Sequence, residues 1–424
     1  MQTLAEQSKD QLKARLVVLE EEYAGYKAQG LQLNMARGKP GPDQLSLTAE
    51  MVNCVNFADA YLAQDGTDTR NYGVLDGIPE AKALFAEIMD VPTDTVIVGG
   101  NSSLNMMFDY IATACAKGIC GNTPWNLQGE VKFLCPVPGY DRHFAITEFF
   151  GIEMVNIPMT ANGPDMDMVE AYVKDPAVKG IWCVPIYSNP QGITYADETV
   201  KRFAALKPAA KDFRIMWDNA YCVHHLTATG DTLLNLYTEA VQCGNEDIVI
   251  QFTSTSKISF PGAGVAALSA SPRNIADILK RMTVQTIGHD KMNMLRHAQY
   301  FKNLDGVRAH MQRHAAILQP KFDTVLSVLQ NRLAGLGVAD WHAARGGYFI
   351  SVELANGTAN ETHRLLKEAG VTLTNAGATY PYGIDPADSN LRIAPSYPSV
   401  EELKTAMELF CICAEMALIH TLLK

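Results

Sequence analysis

From about Leu45 to Leu329 the chain repeats one pattern. A short apolar run ends in glycine, proline, asparagine or a small polar residue and gives way to a helix-like stretch. TVIVGG is followed by NSSLNMMFDYIATACAKG and VKFLCPVPG by YDRHFAITEFFG, while GIWCVPIYS, FRIMWDNAY and DIVIQFTSTS repeat the apolar half. Such alternation predicts βα units and a mainly parallel sheet. Ligands of such sheets bind beyond the carboxyl ends of the strands, which is where the polar residues closing these runs fall.

The flanks read differently. The segment up to about Ala28 is a charged helix, stopped by the glycines and prolines of GLQLNMARGKPGPDQ. A long helical stretch starts near Ile287 and continues through VRAHMQRHAAILQPKFDTVLSVLQNRLAGL, with a domain junction expected inside it. Beyond it, GGYFISVEL, GVTLTNAG and NLRIAPS read as strands and EELKTAMELFCICAEMALIHTLL as a closing helix, together a smaller α+β domain. The expected division is 1–48, an N-terminal helix and arm that joins the small domain; 49–309, the large domain; and 310–424, the small domain.

Charge and cysteine usage exclude several function classes. A net charge of −11 over 424 residues leaves no basic stripe for nucleic acid, so an anionic ligand must be captured locally. The first residues carry charge throughout and lack a secretory signal pattern. The most apolar stretch, AMELFCICAEMALIHTLL, is broken by Glu408, Glu415 and His420. A cytoplasmic protein without membrane or nucleic-acid partners is expected. Nine cysteines without a CxxC pair argue against a disulfide framework or a zinc ribbon.

Four short segments could carry chemistry, each with a plainer alternative. Lys257 in TSTSKISFPGAG lies among small hydroxyls, a proline and two glycines; it is either part of a polar loop or a lysine whose pKa is lowered to make it a nucleophile. The run from Val96 to Ser103, VIVGGNSS, carries a strand into glycines and hydroxyls before a helix. That suits an anion at a helix N-terminus or an ordinary N-cap by Ser102 or Ser103. Asp218 in WDNAY ends an apolar strand; it could keep a ring nitrogen protonated or simply form a turn. Asn189 in SNPQG reads by itself as a turn.

In this order and spacing the four resemble the class I aminotransferases, pyridoxal-phosphate enzymes of fold type I, from about Asn34 to Ala394. Tyr72 in RNYGVLDGIPEAK, the YDRH of Tyr140 to His143, GGYF, and Arg392 in LRIAPS extend the match. LNMARGKP, GGNSSLN and PVPGYDRHF are most similar to the divergent type Ic aspartate aminotransferases. The resemblance implies an α/β fold with a mainly parallel seven-stranded sheet flanked by helices. It also implies pyridoxal 5'-phosphate as cofactor and a homodimer with shared active sites.

Carried over by position, Lys257 would attach the cofactor aldehyde and later move the substrate α-proton. Asp218 would pair with the ring nitrogen, with His143 behind it, and Tyr140 would stack on the ring. Tyr221 and Asn189 would bond the phenolic oxygen, Asn189 also lying against the substrate. Asn101, Ser102, Ser103, Ser254 and Ser259 would cradle the phosphate, with Tyr72 from a second subunit. Arg392 would clamp the substrate α-carboxylate. Arg37, Gly38 and Lys39 lie where the family's N-terminal segment crosses the site mouth, so Arg37 or Lys39 is expected to read a second carboxylate, with Arg142 a further candidate.

The chain departs from the family at Gly264, where many relatives carry a phosphate-binding arginine; Arg70 is a candidate replacement. His224 and His225 are adjacent and cannot both face one ion from a strand, so no metal is expected. The expected reaction moves an amino group from L-aspartate or L-glutamate to 2-oxoglutarate or oxaloacetate. Alternatives are aromatic, aminoadipate or alanine transaminases and lyase or decarboxylase relatives. A ligand-sensing half of a transcription regulator would bring a basic winged-helix domain, which is missing.

Overall fold

The structure is a computed structural model that describes residues 2–55 and 58–424, without the side chains of residues 58 and 59. Its main sheet runs in the order Val96–Val98, Ala266–Ala270, Val249–Ser254, Arg214–Asp218, Val178–Cys183, Lys132–Val137, Glu153–Thr160 and Gly163–Pro164. Ala266–Ala270 is antiparallel to both neighbours, and the five strands from Val249–Ser254 to Glu153–Thr160 are mutually parallel. Seven of the strands match the expected sheet. The eighth, Gly163–Pro164, is a two-residue antiparallel return of the strand before it. The central strands are apolar on both faces because helices cover both: Phe133, Leu134, Ile181, Ile215, Val249 and Ile250 are all fully buried.

The helix expected from about Ile287 is two helices, Lys291–Phe301 and Leu304–Leu333. Lys302 turns to φ 66°, and the Asn303 side chain accepts a hydrogen bond from the Gly306 amide (3.0 Å), capping the second helix. Along that second helix the packing partner changes. Val307 and Met311 pack with the core under the main sheet, whereas Leu318, Phe322, Val325 and Leu329 enter a second core.

That second core holds a three-stranded antiparallel sheet of Ala339–Trp341, Ile350–Leu354 and Asn390–Ile393. GVTLTNAG contributes only Val371–Thr372, paired in parallel with Leu33–Asn34. Lys9–Ala28, Leu304–Leu333 and Ala359–Glu368 surround Val400–Leu423. By length and composition this last helix could cross a membrane, but 72% of its apolar window is buried inside the fold. Its single fully buried carboxylate, Glu415, accepts two hydrogen bonds from Arg15 of the first helix (2.6 and 3.0 Å).

Candidate active site

The strand Val96–Val98 passes through Gly99 and Gly100 (φ 67°) into the helix Ser103–Lys117. Ser102 sits at the N-cap, yet its side chain makes no capping bond. Its hydroxyl and the first-turn amides therefore remain for a ligand, and the helix dipole favours an anion there. Ser254, at the end of its strand, donates to the Ser256 hydroxyl (3.0 Å). Ser102, Ser103, Ser254 and Ser256 line one end of a cavity of about 140 Å³.

Ser259 corrects the sequence reading. It is fully buried, bonded to the Thr255 hydroxyl (3.0 Å) and His297 Nε2 (2.7 Å), and faces the core instead of the cavity. The Lys257 segment is a tight turn in which the Ser259 amide bonds back to the Thr255 carbonyl, so the hydroxyl three residues after Ser256 points inward.

Opposite the serines lies Asp218. Its Oδ2 accepts from His143 Nε2 (3.0 Å), and the imidazole is stacked on Trp182 with ring centroids 4.5 Å apart. Asp218 Oδ1 is buried and has no partner. A buried carboxylate oxygen left bare is costly, and a protonated ring nitrogen is the kind of donor it lacks.

Lys257 Nζ is 5.2 Å from the Tyr221 ring centroid and 5.9 Å from that of Tyr348. Burial, with the Arg392 charge adding to it, lowers the Lys257 pKa, and Asp218 opposes the shift. The amine is thereby brought toward its nucleophilic form. Burial pushes the Tyr140 phenol up to about 12 and Tyr221 well above its ordinary value, so both remain protonated donors.

Arg392 is buried beside Asn189. Its Nη1 donates to Asp141 Oδ1 (2.8 Å) and Asn189 Oδ1 (3.1 Å) and its Nη2 to Thr374 Oγ1 (3.2 Å), while Nε is buried without a partner. The guanidinium lies 4.6 Å from the Phe349 ring. Phe349 is brought there by the GGYF strand, where a β-carbon on Gly346 would collide with the Tyr187 ring, so only glycine allows the approach.

Of the expected residues, Lys257, Asp218, Tyr140, Tyr221, Asn189, Ser102, Ser103 and Ser254 line the cavity, with His143 and Arg392 directly behind. Asn101 stays at the rim, its carbonyl 3.5 Å from the Ser256 hydroxyl. Tyr72 is 80% exposed and lies outside the cavity of its own chain. The MARGKP cations are not gathered in either: Arg37 is exposed, and Lys39 Nζ lies 4.0 Å over the Tyr397 ring. Gly38 packs against Phe349. Arg142 is exposed, and Arg70 is held by Asp68 in a two-bond pair (2.9 and 2.6 Å).

At Gly264 a β-carbon would stand 3.2 Å from the Thr255 hydroxyl and 3.4 Å from the Asn101 carbonyl. A side chain there would fit only if these neighbours gave by a few tenths of an ångström. His224 and His225 diverge: His224 is buried with neither ring nitrogen bonded, and His225 Nδ1 meets the Tyr187 hydroxyl (2.7 Å).

Sequence reasoning missed Ser256, Asp141, Thr374 and a buried chain behind the lysine. In that chain Gln44 bonds the Tyr348 hydroxyl (2.8 Å) and His314 (3.0 Å), His314 meets His310 (3.0 Å), and His310 bonds the Ile258 carbonyl (2.8 Å). Burial holds His310 down to about 4 and His314 to about 3, so both are neutral. Their i, i+4 spacing on a helical stretch was the available signal.

The chain matches the family model described as aspartate amino-transferase over residues 7–424. It is 46% identical over 392 residues to the aspartate aminotransferase of Corynebacterium glutamicum, covering 92% of this chain and 90% of that one. The crystal structure of an aspartate transaminase from the same species superposes with a TM-score of 0.97 at 43% identity, covering 99% of both chains. An α-aminoadipate aminotransferase structure from Thermus thermophilus, at 19% identity and TM-score 0.74 over 94% of this chain and 97% of that one, shares the fold. With the orphaned Asp218 oxygen and the Lys257 amine facing one cavity, these matches establish that the chain belongs to the aspartate aminotransferase family of pyridoxal-phosphate-dependent transaminases.

Proposed function

We propose that the protein transfers the amino group of L-aspartate or L-glutamate to 2-oxoglutarate or oxaloacetate. The observation that carries this is Arg392, positioned behind Asn189 with its Nε–H unspent, beside a lysine without a hydrogen-bond partner among the described residues. The relatives named as aspartate aminotransferases supply the substrate class.

When bound, pyridoxal 5'-phosphate supplies an aldehyde for covalent attachment and a ring that accepts the electrons released at the substrate α-carbon. The residues present fit it. Ser102, Ser103, Ser254 and Ser256 and the amides opening Ser103–Lys117 would hold its phosphate. Asp218, steadied by His143, offers Oδ1 to the ring nitrogen. Tyr221 and Asn189 would donate to the phenolic oxygen, and Tyr140 would cover the ring.

Arg392 grips the α-carboxylate and so orients the α-hydrogen toward Lys257. Lys257 Nζ, buried and brought toward its neutral form, would take that proton as general base and later return it as the acid. Water would release the first 2-oxo acid while the amino group stays with the cofactor, and a second 2-oxo acid would take that group up by the reverse sequence.

Arg37 or Lys39 is the proposed reader of the second carboxylate, both standing on the exposed arm that continues past Gly38. Tyr72 is proposed to complete the phosphate site of a partner subunit. Its 80% exposure, together with exposed Val284 and Ile287, supports a homodimer. Mixing a Tyr72→Phe variant with a Lys257→Ala variant then restores activity above that of either alone.

The deciding experiment is an absorption spectrum of purified protein with L-aspartate added. Loss of the visible band, and its recovery with 2-oxoglutarate, is expected. A faster response to aromatic amino acids or to aminoadipate than to aspartate overturns the substrate assignment.

A further inference from the structure

A second, larger cavity of about 660 Å³ lies against the same strand end as the active site. Side chains alternate across a strand, and here the alternation divides two chambers. Asp218 faces the cofactor cavity, whereas its neighbours Trp217 and Asn219 face the second one; in the turn after the strand, Tyr221 lines the first and Cys222 the second. Gln251, the sheet partner of Trp217, joins them, while Ser254 on the same strand faces the active site. The remaining lining mixes apolar side chains such as Ile186, Leu226 and Met311, the last on the helix Leu304–Leu333, with polar ones such as Asp90, Thr227, Asn235 and Arg308.

Two side chains in this cavity are left wanting. Asn219 is 7% exposed and Gln251 3% exposed, and Asn219 Oδ1 and Gln251 Nε2 are both buried without a hydrogen-bond partner. Buried amides are normally satisfied, and each one that is not calls for an explanation. As placed they leave one acceptor and one donor open, and turning both amides exchanges the two roles. The charged groups of the lining have partners of their own: Asp231 is paired with Arg345 (3.0 Å), Arg308 with Asp305 (3.5 Å), and Asp90 accepts from Asn235 (3.1 Å), while burial lowers the His225 pKa. The cavity thus presents two neutral amides beside the apolar patch of Ile186, Leu226 and Met311, in the roughly 300–1,000 Å³ range of small-molecule sites.

We propose that this cavity binds a small uncharged planar heterocycle carrying a lactam or carboxamide edge. That edge pairs with Asn219 and Gln251 while the ring body lies on the apolar patch. Because the cavity opens on the face of the strand away from Lys257, such a molecule does not compete with the amino-acid substrate.

The test uses purified holoenzyme with uracil, hypoxanthine and nicotinamide as probes, followed by saturation-transfer NMR and calorimetry. At least one probe is expected to bind saturably and to remain bound at saturating L-aspartate. Gln251→Leu is expected to weaken it about tenfold. Ala315→Trp, which fills the cavity from the outer helix and leaves the sheet untouched, is expected to abolish binding while the visible spectrum and turnover are kept. Absence of saturable binding by all three probes overturns the proposal. So does displacement by L-aspartate, binding that survives Ala315→Trp, or a crystal structure soaked with the probes that shows ordered water alone on both amides.

Discussion

Replacing Arg392 with lysine keeps the charge and removes the fork. A guanidinium carries five N–H donors, and Asp141, Asn189 and Thr374 take three of them. The two that remain are on Nε and Nη2, which share one edge of the group and suit the two oxygens of a carboxylate. A hydrogen bond to a charged group is worth about 1.5–3 kcal/mol. Lysine can keep one such bond and the charge, so the expected loss is roughly 2–3 kcal/mol, or about 30- to 150-fold in kcat/KM. The bond is made to the bound substrate as well as at the transition state, so the change should fall mainly on KM. Steady-state kinetics with L-aspartate, together with the rate at which the visible band disappears in a single half-reaction, measure both parts. Thr374→Val, which frees only Nη2, should cost about fivefold. If Arg392→Lys changed kcat/KM by less than about threefold, or lowered kcat with KM unaltered, the argument that its free edge grips the substrate would fail.

Other residues make separable predictions. His143→Phe leaves Asp218 buried without its remaining partner and should loosen cofactor retention about tenfold, read from absorbance on dilution. Burial and Arg392 both depress the Lys257 pKa, so its neutral amine persists to lower pH than that of a free lysine. Arg392→Gln should therefore move the midpoint for reductive trapping of the apoenzyme amine to higher pH, and a downward shift would contradict the assignment. Ser256→Ala should weaken cofactor affinity several-fold and Ser259→Ala leave it unchanged while costing about 1 kcal/mol of stability through His297; equilibrium dialysis and urea unfolding separate the two. Arg15→Ala strands the buried Glu415 carboxylate and should cost about 2–3 kcal/mol, part of it recovered by Glu415→Gln in the same chain.

Five strands of the main sheet were legible because each is buried on both faces and closes in a residue that cannot extend a strand, as in TVIVGG or FRIMWDNAY; Glu153–Thr160, with only two buried residues, and the small-residue run Ala266–Ala270 went unread. The ends of those strands then located Asp218, Ser254 and the Ser102 turn. What the sequence could not show were distant pairings. Asp141 and Thr374 reach Arg392 from 251 and 18 positions away; they stand in YDRH and GVTLTNAG, but neither run shows which distant side chain it meets. Ser259 was misplaced because a run of hydroxyls does not reveal which of them turns inward. That choice is made by His297, 38 residues later, whose imidazole draws the hydroxyl into the core. The break at Lys302 escaped because helical spacing continues across it and only the Asn303 cap marks the restart.

The pairing of Lys9–Ala28 with Val400–Leu423 bears on how the chain is made. Arg15 and Glu415 are 400 positions apart, so the earlier helix leaves the ribosome long before its partner exists. It can wait in water, since only Leu12, Leu19 and Tyr23 of its twenty residues become buried. The later helix could not, for most of its surface is apolar. It is translated only after all three helices that surround it, Lys9–Ala28, Leu304–Leu333 and Ala359–Glu368, are already available. The segment most prone to aggregate thus meets a prepared cleft as it emerges, and the order of synthesis protects a core that neither end of the chain could close alone.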